Sequence, residues 1–174
     1  LETIVLPTSV DMVRYRVETP KVEEFIDLVW IGSSSTGKYL REILPTLERA
    51  AELEPRLRLK VIADFTLQSD VLPIEAVPWH FDREIPELQR AHVGIAPMRD
   101  DPWTRGKCAL KVLQFMASRL PVISSDVGVN SEVIQHGKTG FLVSSEQEWV
   151  DAILTLAGSL ALRTSPLGVL NTAL

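Results

Sequence analysis

The chain has 174 residues, of which 45% are hydrophobic and 24% charged, a composition that excludes a disordered tail and a fibrous repeat. Its formal net charge of −5 argues against a nucleic-acid-coating domain, because such domains carry an excess of Lys and Arg. The single cysteine, Cys108, excludes an intrachain disulfide and a cysteine zinc cage. No apolar run approaches the roughly 20 residues of a bilayer span, and no signal peptide is visible. We therefore expect a cytoplasmic domain with no nucleic-acid partner, no transmembrane segment and no metal.

Short apolar runs alternate along the chain with longer segments whose apolar residues recur every three or four positions. Strands are predicted at residues 28–31, 57–63, 74–77, 93–96, 121–124 and 141–143. Helices are predicted at 38–53, 84–91, 110–119 and 131–135, and after the capping box of Ser145 and Glu148. In the third helix we expect Leu110, Leu113, Met116 and Ala117 on the buried face. Residues 8–24 are predicted to be an exposed polar entry.

This alternation indicates an α/β fold: a doubly wound, six-stranded, mostly parallel sheet of the Rossmann-like kind. Ligands of such folds bind beyond the carboxyl ends of the strands, where the strand order reverses. We therefore expect the functional residues just after the first, third, fourth and fifth strands.

The first candidate for chemistry is the small-residue loop predicted at 32–38, with the sequence GSSSTGK. Backbone amides in such a loop, here including those of Gly32 and Ser33, point at an anion near a helix start. A P-loop requires Ser or Thr after the lysine, but Tyr39 follows Lys38, so the hydroxyl for magnesium is missing. A tight strand-to-helix turn explains the same residues equally well.

The second candidate is a group of basic residues at the start of the helix predicted from residue 110. The helix dipole disfavours positive charge at this position, which is occupied by Arg105, Lys107 and Lys111. An anion bound between these side chains would offset that cost. The backbone amides at 108–110, those of Cys108, Ala109 and Leu110, would complete a diphosphate site. The alternative is that these side chains extend into water.

Residues 106–143 carry a resemblance to a known family. They read GKCALKVLQFMASRLPVISSDVGVNSEVIQHGKTGFLV, which resembles the E-A-M-A-x-G-x-P-V and G-x-x-G-[FL]-L signature of the group 1 glycosyltransferases. Residues 4–11, 29–32, 57–63 and 88–97 also match the entry and three donor-domain strands of that family. The resemblance covers nearly the whole chain.

The resemblance implies the C-terminal, donor-binding half of a retaining glycosyltransferase of the two-domain GT-B fold. Residues 1–24 would then be the entry from an N-terminal acceptor domain, 25–163 the nucleotide-sugar-binding domain and 164–174 a tail. The implied ligand is a nucleotide diphospho-sugar donor, with no separate cofactor. The preceding acceptor domain is the implied partner, and any contact with a membrane surface would come through it.

Several positions depart from the family pattern, which has two glutamates eight positions apart. The glutamate near the transferred sugar falls on Gly106, and the one that holds the ribose falls on Gln114, whose amide still bonds hydroxyls. Asp101, in the same loop, is the candidate to reach the sugar in place of the first, with an exposed acidic loop as the alternative. Ser33 stands where the family has Arg, and Lys107 and Lys111 are expected to replace the missing cations, with Lys38 as the other possibility.

Two further positions complete the predicted site. Trp79, after the third strand, is placed to stack on the base or to pack at the rim, and the amides near Gly128 are placed to face the sugar. We expect the isolated domain to bind a donor without turning it over. The loss of both glutamates leaves a non-catalytic nucleotide-binding or interaction module open, and an epimerase of the same architecture is a third reading.

Overall fold

The computed structural model describes residues 7–16, 21 and 24–164. In these ranges the strands are β1 (Ile26–Ile31), β2 (Leu57–Ala63), β3 (Ile74–Pro78), β4 (Val93–Ala96), β5 (Val122–Ser125) and β6 (Phe141–Val143). The helices are α1 (Ser34–Leu53), α2 (Glu84–Arg90), α3 (Pro102–Arg105), α4 (Leu110–Ala117), α5 (Asn130–Val133), α6 (Glu146–Ala157) and α7 (Leu160–Thr164). Residues 1–6, 17–20 and 22–23 of the predicted entry and residues 165–174 of the predicted tail lie outside the described residues.

The six strands form one sheet in the order β3-β2-β1-β4-β5-β6, and every neighbouring pair is parallel. The predicted α/β Rossmann-like fold is therefore confirmed, with a fully rather than mostly parallel sheet. The strand order reverses between β1 and β4, so the crevice expected for a ligand opens beyond the carboxyl ends of these two strands.

Strand β1 lies at the centre of the sheet, and all six of its residues are buried. Leu28 and Trp30 face a core formed with α1 and α6, whereas Val29 and Ile31 face a second core formed with α2 and α4. A continuous apolar run is what a strand covered on both faces requires. The helices thus hold β1 rigidly from both sides, which fixes the position of its carboxyl end.

Helix α1 begins at Ser34, four residues earlier than predicted, so the strand-to-helix connection contains only Gly32 and Ser33. The prediction of a seven-residue loop is therefore wrong. The backbone amide of Ser34 donates a 2.7 Å hydrogen bond to the carboxylate of Asp64, which caps the helix at this earlier first turn. The helix continues through Pro45 to Leu53.

Helix α4 buries part of the predicted face. Met116 and Ala117 are buried as predicted, together with Val112 and Phe115, whereas Leu110 is 43% exposed and lines both cavities of the site described below. The difference is explained in part by β4: a Cβ added at Gly94 would be 2.4 Å from the Phe115 side chain, so the aromatic ring fills the space that the glycine leaves.

Three short elements were not predicted: α3, a 3-10 turn before β1, and α7. Helix α3 is capped by Asp101, whose carboxylate accepts from the Thr104 amide at 2.9 Å, and Pro102 follows at the first helical position. A 3-10 turn at Arg14–Arg16 buries Tyr15 against Ile85 and Ala117, whereas the other residues of 11–16 are exposed as predicted. Within the described ranges, no helix combines the length and apolar character that a bilayer span requires.

Candidate functional site

Two adjoining cavities open at the carboxyl edge of the sheet. The first, called here the lysine cavity, has a volume of about 300 Å³ and is lined chiefly by Tyr39, Met98, Lys107, Cys108 and Lys111. The second, called the carboxylate cavity, has a volume of about 390 Å³ and is lined chiefly by Asp64, Trp79, Glu84 and Gln114. Gly32, Ser33, Leu110 and Lys111 line both. One elongated ligand could therefore occupy the two cavities together.

The ammonium of Lys111 lies at the junction of the two cavities. It stands 4.1 Å from the centre of the Trp30 ring and 3.3 Å from the Thr36 hydroxyl, to which it donates. No carboxylate forms an ion pair with it among the residues that the structure describes. Burial of the ammonium, and then repulsion from Lys107, lowers the pKa of Lys111 to about 7 from its ordinary value of 10.5. The site thus holds a desolvated positive group without an anion.

Gly32 makes room for that ammonium. A Cβ added at Gly32 would lie 2.6 Å from the Trp30 ring and 2.8 Å from the Nζ atom of Lys111. Contacts this short do not occur, so any larger residue would displace the lysine or the buried tryptophan. Glycine is required here for close packing, not for backbone conformation.

The start of α4 forms one wall of the lysine cavity. Ala109 precedes the helix in the left-handed conformation, with φ 55°, which turns the chain sharply so that residues 107–111 all line the cavity. The first amides of a helix lack intrahelical acceptors and attract an anion. The ammonium of Lys107 lies 4.3 Å from the centre of the Trp103 ring. This wall therefore offers two cations and the positive end of a helix.

The start of α1 is differently arranged. The two carboxylate oxygens of Asp64 accept from the Ser34 amide at 2.7 Å and from the Ser34 hydroxyl at 3.3 Å. The ammonium of Lys38 lies 4.7 Å from the centre of the Tyr39 ring, and Lys38 lines neither cavity. A carboxylate of the chain itself, that of Asp64, thus already occupies the start of α1. The start of α4 is the one whose positive charge is available to an anion.

A buried carboxylate dominates the second cavity. Glu84, in the first turn of α2, accepts from the indole Nε1 of Trp79 at 2.7 Å and from the amide Nε2 of Gln114 at 2.8 Å. The pKa of Tyr15, which packs beside this group, is raised by burial and by the charge of Glu84, while a hydrogen bond with Gln114 opposes the rise. The entry segment therefore touches the same cluster.

Most of the predicted site residues meet at the two cavities. Those that line one or both are Gly32, Ser33, Trp79, Lys107, Cys108, Ala109, Leu110, Lys111 and Gln114. Three do not line either cavity: Asp101, Arg105 and Gly128.

These three residues build the loop beside the lysine cavity. Arg105 ends α3 and pairs with Asp100 at 2.7 Å, so its guanidinium is engaged away from the start of α4. Hydrogen bonds from the Thr104 amide and then from the Tyr39 hydroxyl lower the pKa of Asp101, whose carboxylate lies 2.9 Å from that hydroxyl. Gly128, with φ 57°, packs against the backbone of Arg105.

Sequence reasoning missed Glu84, Asp64 and Tyr39. The signal for the two carboxylates was position: Asp64 follows the last residue of β2, and Glu84 opens the helix that follows β3. Tyr39 has no such signal, because its role depends on a hydrogen bond to a residue 62 positions away. In residues 7–16, 21 and 24–164, no group of three or more His, Cys, Asp or Glu side chains is placed to hold a metal ion.

Comparison with solved structures shows what this fold resembles. S. aureus TarM, solved as a point mutant in complex with fondaparinux, alpha-GlcNAc-glycerol and UDP, matches with a TM-score of 0.69 and 15% identity over 97% of this chain and 35% of that chain. The C-terminal domain of the glycosyl transferase LpcC from Francisella tularensis matches with a TM-score of 0.63 and 18% identity over 92% of this chain and 89% of that one.

A third match is the alpha,alpha-trehalose-phosphate synthase (UDP-forming) from Burkholderia vietnamiensis, with a TM-score of 0.61 and 17% identity over 83% of this chain and 40% of that one. The chain thus spans about a third of the TarM chain and two fifths of this synthase, but most of the isolated LpcC domain. No curated protein sequence matches it.

The family model described as "Glycosyl transferases group 1" matches residues 18–159, which include both cavities and every strand of the sheet. The neighbours with this fold include glycosyltransferases, and the predicted family is confirmed. The chain belongs to the group 1 glycosyltransferases.

Proposed function

We propose that residues 25–163 form the donor-binding domain of a retaining glycosyltransferase and that the two cavities hold a nucleotide diphospho-sugar. Residues 1–24 would be the entry from a preceding acceptor domain, and residues 164–174 a tail. The observation that carries the proposal is Lys111, whose ammonium lies between the cavities with no carboxylate beside it in the described part of the chain.

A diphosphate is the anion that this arrangement suits best. Lys107 and Lys111 line the lysine cavity from the same wall as the start of α4, so that two ammonium groups and helix amides converge on one place. An anion beside Lys111 would favour its charged form and so raise its pKa again. The energy lost in burying the lysine is then recovered when the ligand binds.

The same groups would assist sugar transfer. When the bond between the sugar and the diphosphate breaks, negative charge grows on the departing phosphate oxygens. Ammonium groups already held in place stabilise that charge without reorganisation. Lys111 and Lys107 are therefore proposed to bind the donor and to stabilise its leaving group.

Neither candidate position supplies a free carboxylate near the transferred sugar. Gly106 stands at the family position, and Asp101 is engaged by Thr104 and Tyr39. We therefore propose that this chain binds a donor without useful turnover and that groups from a preceding domain complete the reaction. Two proteins with a similar fold support a nucleotide donor for this chain: TarM was solved in complex with UDP, and the trehalose-phosphate synthase is UDP-forming.

Titration of the chain with UDP, GDP, ADP and CDP by isothermal calorimetry tests the proposal. We expect saturable binding of at least one, and Lys111→Met to weaken it by about 10- to 100-fold, the value of a lost charged hydrogen bond. Lys38→Met is the matched control, because Lys38 lies outside both cavities. Absence of binding by all four nucleotides, or equal loss in the two variants, contradicts the donor site.

One observation favours a second function, a non-catalytic nucleotide-binding module. No Asp or Glu side chain of the described residues lines the lysine cavity, where the sugar would lie. A protein that contains the preceding domain separates the two functions: transfer or hydrolysis of a donor establishes the enzyme, whereas binding alone favours the module. The unpaired thiol of Cys108 is compatible with a reducing, cytoplasmic location, which stays a prediction.

A further inference from the structure

Lys111 is a desolvated amine whose charge is balanced by no carboxylate in the described part of the chain. Its ammonium contacts two uncharged groups, the Trp30 ring, whose centre is 4.1 Å away, and the Thr36 hydroxyl at 3.3 Å. Lys60 shows the contrast: it is also buried, but its ammonium lies 3.1 Å from the carboxylate of Glu87. Removing an ammonium from water without supplying an anion favours the neutral amine, which carries a free electron pair. Lys111 is therefore a candidate nucleophile.

The other titratable groups of the two cavities do not alter this conclusion. They are Tyr39, Asp64, Glu84, Lys107 and Cys108. The two carboxylates accept hydrogen bonds from uncharged donors through each of their oxygens. Lys107 acts in the same direction as burial, because its positive charge repels a second one and lowers the pKa of Lys111 further, to about 7. Near neutral pH the amine thus exists in both its charged and its neutral form.

The amine is withdrawn from bulk water yet open to small molecules. Lys111 lines both cavities, which have volumes of about 300 and 390 Å³ and open at the carboxyl edge of the sheet. At pH 7.5 a lysine with the ordinary pKa of 10.5 is neutral in about 0.1% of molecules, whereas a pKa of about 7 makes roughly three quarters of them neutral. The lower basicity also weakens the nucleophile, which by analogy with thiols offsets about half of this gain on a logarithmic scale.

The surroundings of the amine determine which electrophile it meets. Lys107 and the first amides of α4 line the same cavity and attract an anion. A reagent that carries a phosphate directly beside an electrophilic carbon would place that carbon near the Lys111 amine. An acyl phosphate has this structure, and its phosphate is also its leaving group. The positive groups that hold the phosphate would stabilise the charge that grows on it during transfer.

We propose that Lys111 is a modification site that accepts the acyl group of an acyl phosphate. The amine nitrogen attacks the carbonyl carbon and forms a C–N bond, while the bond from that carbon to the phosphate oxygen breaks and its electron pair leaves with the phosphate. The amine proton passes to the released phosphate. The product is an uncharged amide, so acylation would remove the charge proposed to hold the donor diphosphate. Only this last consequence rests on the proposed function.

Treatment of the whole chain with acetyl phosphate at pH 7.5, followed by peptide mass spectrometry, tests the proposal. Lys38 and Lys138 are internal controls, because both are exposed and line neither cavity. Neutral hydroxylamine removes any acetyl group from the thiol of Cys108 before digestion, so that only amides are counted. The same treatment of Lys107→Met and of its matched control, Lys138→Met, measures the contribution of the anion site.

We expect Lys111 to react at least about tenfold faster than Lys38, at a rate that saturates with acetyl phosphate and is inhibited by inorganic pyrophosphate. Lys107→Met should slow acetylation of Lys111 by about threefold or more and leave Lys38 unaffected, whereas Lys138→Met should change neither rate. Rates at Lys111 and Lys38 within about twofold of each other in the wild type, where no variant has to fold, overturn the modification site. Equal rates at Lys111 in the two variants overturn the assignment of an acyl phosphate as its substrate.

Calorimetry separates this proposal from the proposed function. Acetylated and untreated chains are titrated with whichever of UDP, GDP, ADP or CDP binds the untreated chain most tightly, and acetylation should weaken binding by about 10- to 100-fold. Unchanged affinity after complete acetylation of Lys111 overturns the place given to this residue in the donor site. If a nucleotide binds but Lys111 reacts no faster than Lys38, this inference alone fails. If none of the four binds while Lys111 is acetylated selectively, the proposed function fails and the modification site stands.

Discussion

The lysine cavity and the carboxylate cavity lie side by side but carry opposite charge. Lys107 and Lys111 line the first, in which no described carboxylate side chain takes part, whereas Asp64 and Glu84 line the second, which Lys111 borders at the junction. Both open at the same edge of one parallel sheet, so topology determines where the ligand binds and side chains determine its direction. If the proposed function holds, this difference in charge would orient a nucleotide, with its phosphates toward α4 and its nucleoside toward α2.

The pH dependence of binding is the largest effect that this contrast predicts. Because the pKa of Lys111 is about 7 in the free protein, a diphosphate must bind together with a proton above that pH. We expect affinity to fall by roughly 50-fold between pH 7 and pH 9. Calorimetry in buffers of different ionisation enthalpy would detect the proton uptake, and a flat affinity profile with no proton uptake would contradict a lysine-centred site.

The free protein provides a check on the sign of this effect. The pKa of Lys111 is about 7 in the folded protein and 10.5 in the unfolded chain. Below pH 7 the ammonium is charged in both states, so its burial destabilises the fold in full. This penalty disappears as the pH rises from 7 to 10.5. The free energy of unfolding should therefore contain a component that increases with pH across this window. Lys111→Met should remove that component, as urea denaturation at several pH values would show.

Replacing Gly32 by Ala should disturb both cavities at once. The added methyl group would lie within 3 Å of the buried Trp30 ring and of the Lys111 ammonium, which predicts a destabilisation of about 1–3 kcal/mol and weaker nucleotide binding. Gly106→Ala is the matched control, because a Cβ there has its nearest neighbour at 3.6 Å. Equal melting temperatures and affinities for the two variants would contradict the packing argument.

Replacing Lys107 by Met should have a smaller effect than replacing Lys111. Lys107 lines only the lysine cavity, and its ammonium lies over the ring of Trp103, a residue that is 60% exposed. We expect about a tenfold loss of nucleotide affinity, the value of one partly screened charged contact. Lys138→Met, in a turn that lines neither cavity, controls for the lost charge. A larger loss of affinity for Lys107→Met than for Lys111→Met would show that the anion binds mainly at Lys107 and would contradict the central role of Lys111.

Replacing Tyr39 by Phe should give the smallest effect. The change removes the hydrogen bond to Asp101 that ties α1 to the loop at α3, which should lower the midpoint of urea denaturation by roughly 0.5 M or less. Asp101→Ala should lower the midpoint further, because it also removes the cap of α3. Urea denaturation measures both, and the reverse order would show that the cap contributes little.

Much of the fold and part of the site were predictable from the sequence. The apolar runs placed all six strands, and the cations at the start of α4 indicated an anion site, because both depend on residues close together in the chain. Helix α3 was missed, although an Asp-Pro start with Thr104 three residues after Asp101 is a capping signal. The first turn of α1 was missed because the carboxylate that caps it, Asp64, follows β2 and lies 30 positions away in the chain.

The finer chemistry depends on contacts between distant residues, which no local pattern contains. Glu84 and Gln114 are 30 positions apart, and the Lys111 ammonium meets Thr36 across 75 positions. The buried face of α4 was predicted only in part for the same reason: Met116 and Ala117 are buried as expected, but Phe115 is directed inward by the space that Gly94 leaves on β4. Sequence alone therefore predicted an anion site at the start of α4 but could not show that Glu84 lines the adjoining cavity.

A crystal structure of the chain soaked with the nucleoside diphosphate that binds most tightly tests the central claim most directly. The account predicts phosphate oxygens within hydrogen-bond distance of the Lys111 ammonium and the nucleoside in the carboxylate cavity. A nucleotide bound elsewhere, or in the reverse direction with its phosphates beside Glu84, would contradict it.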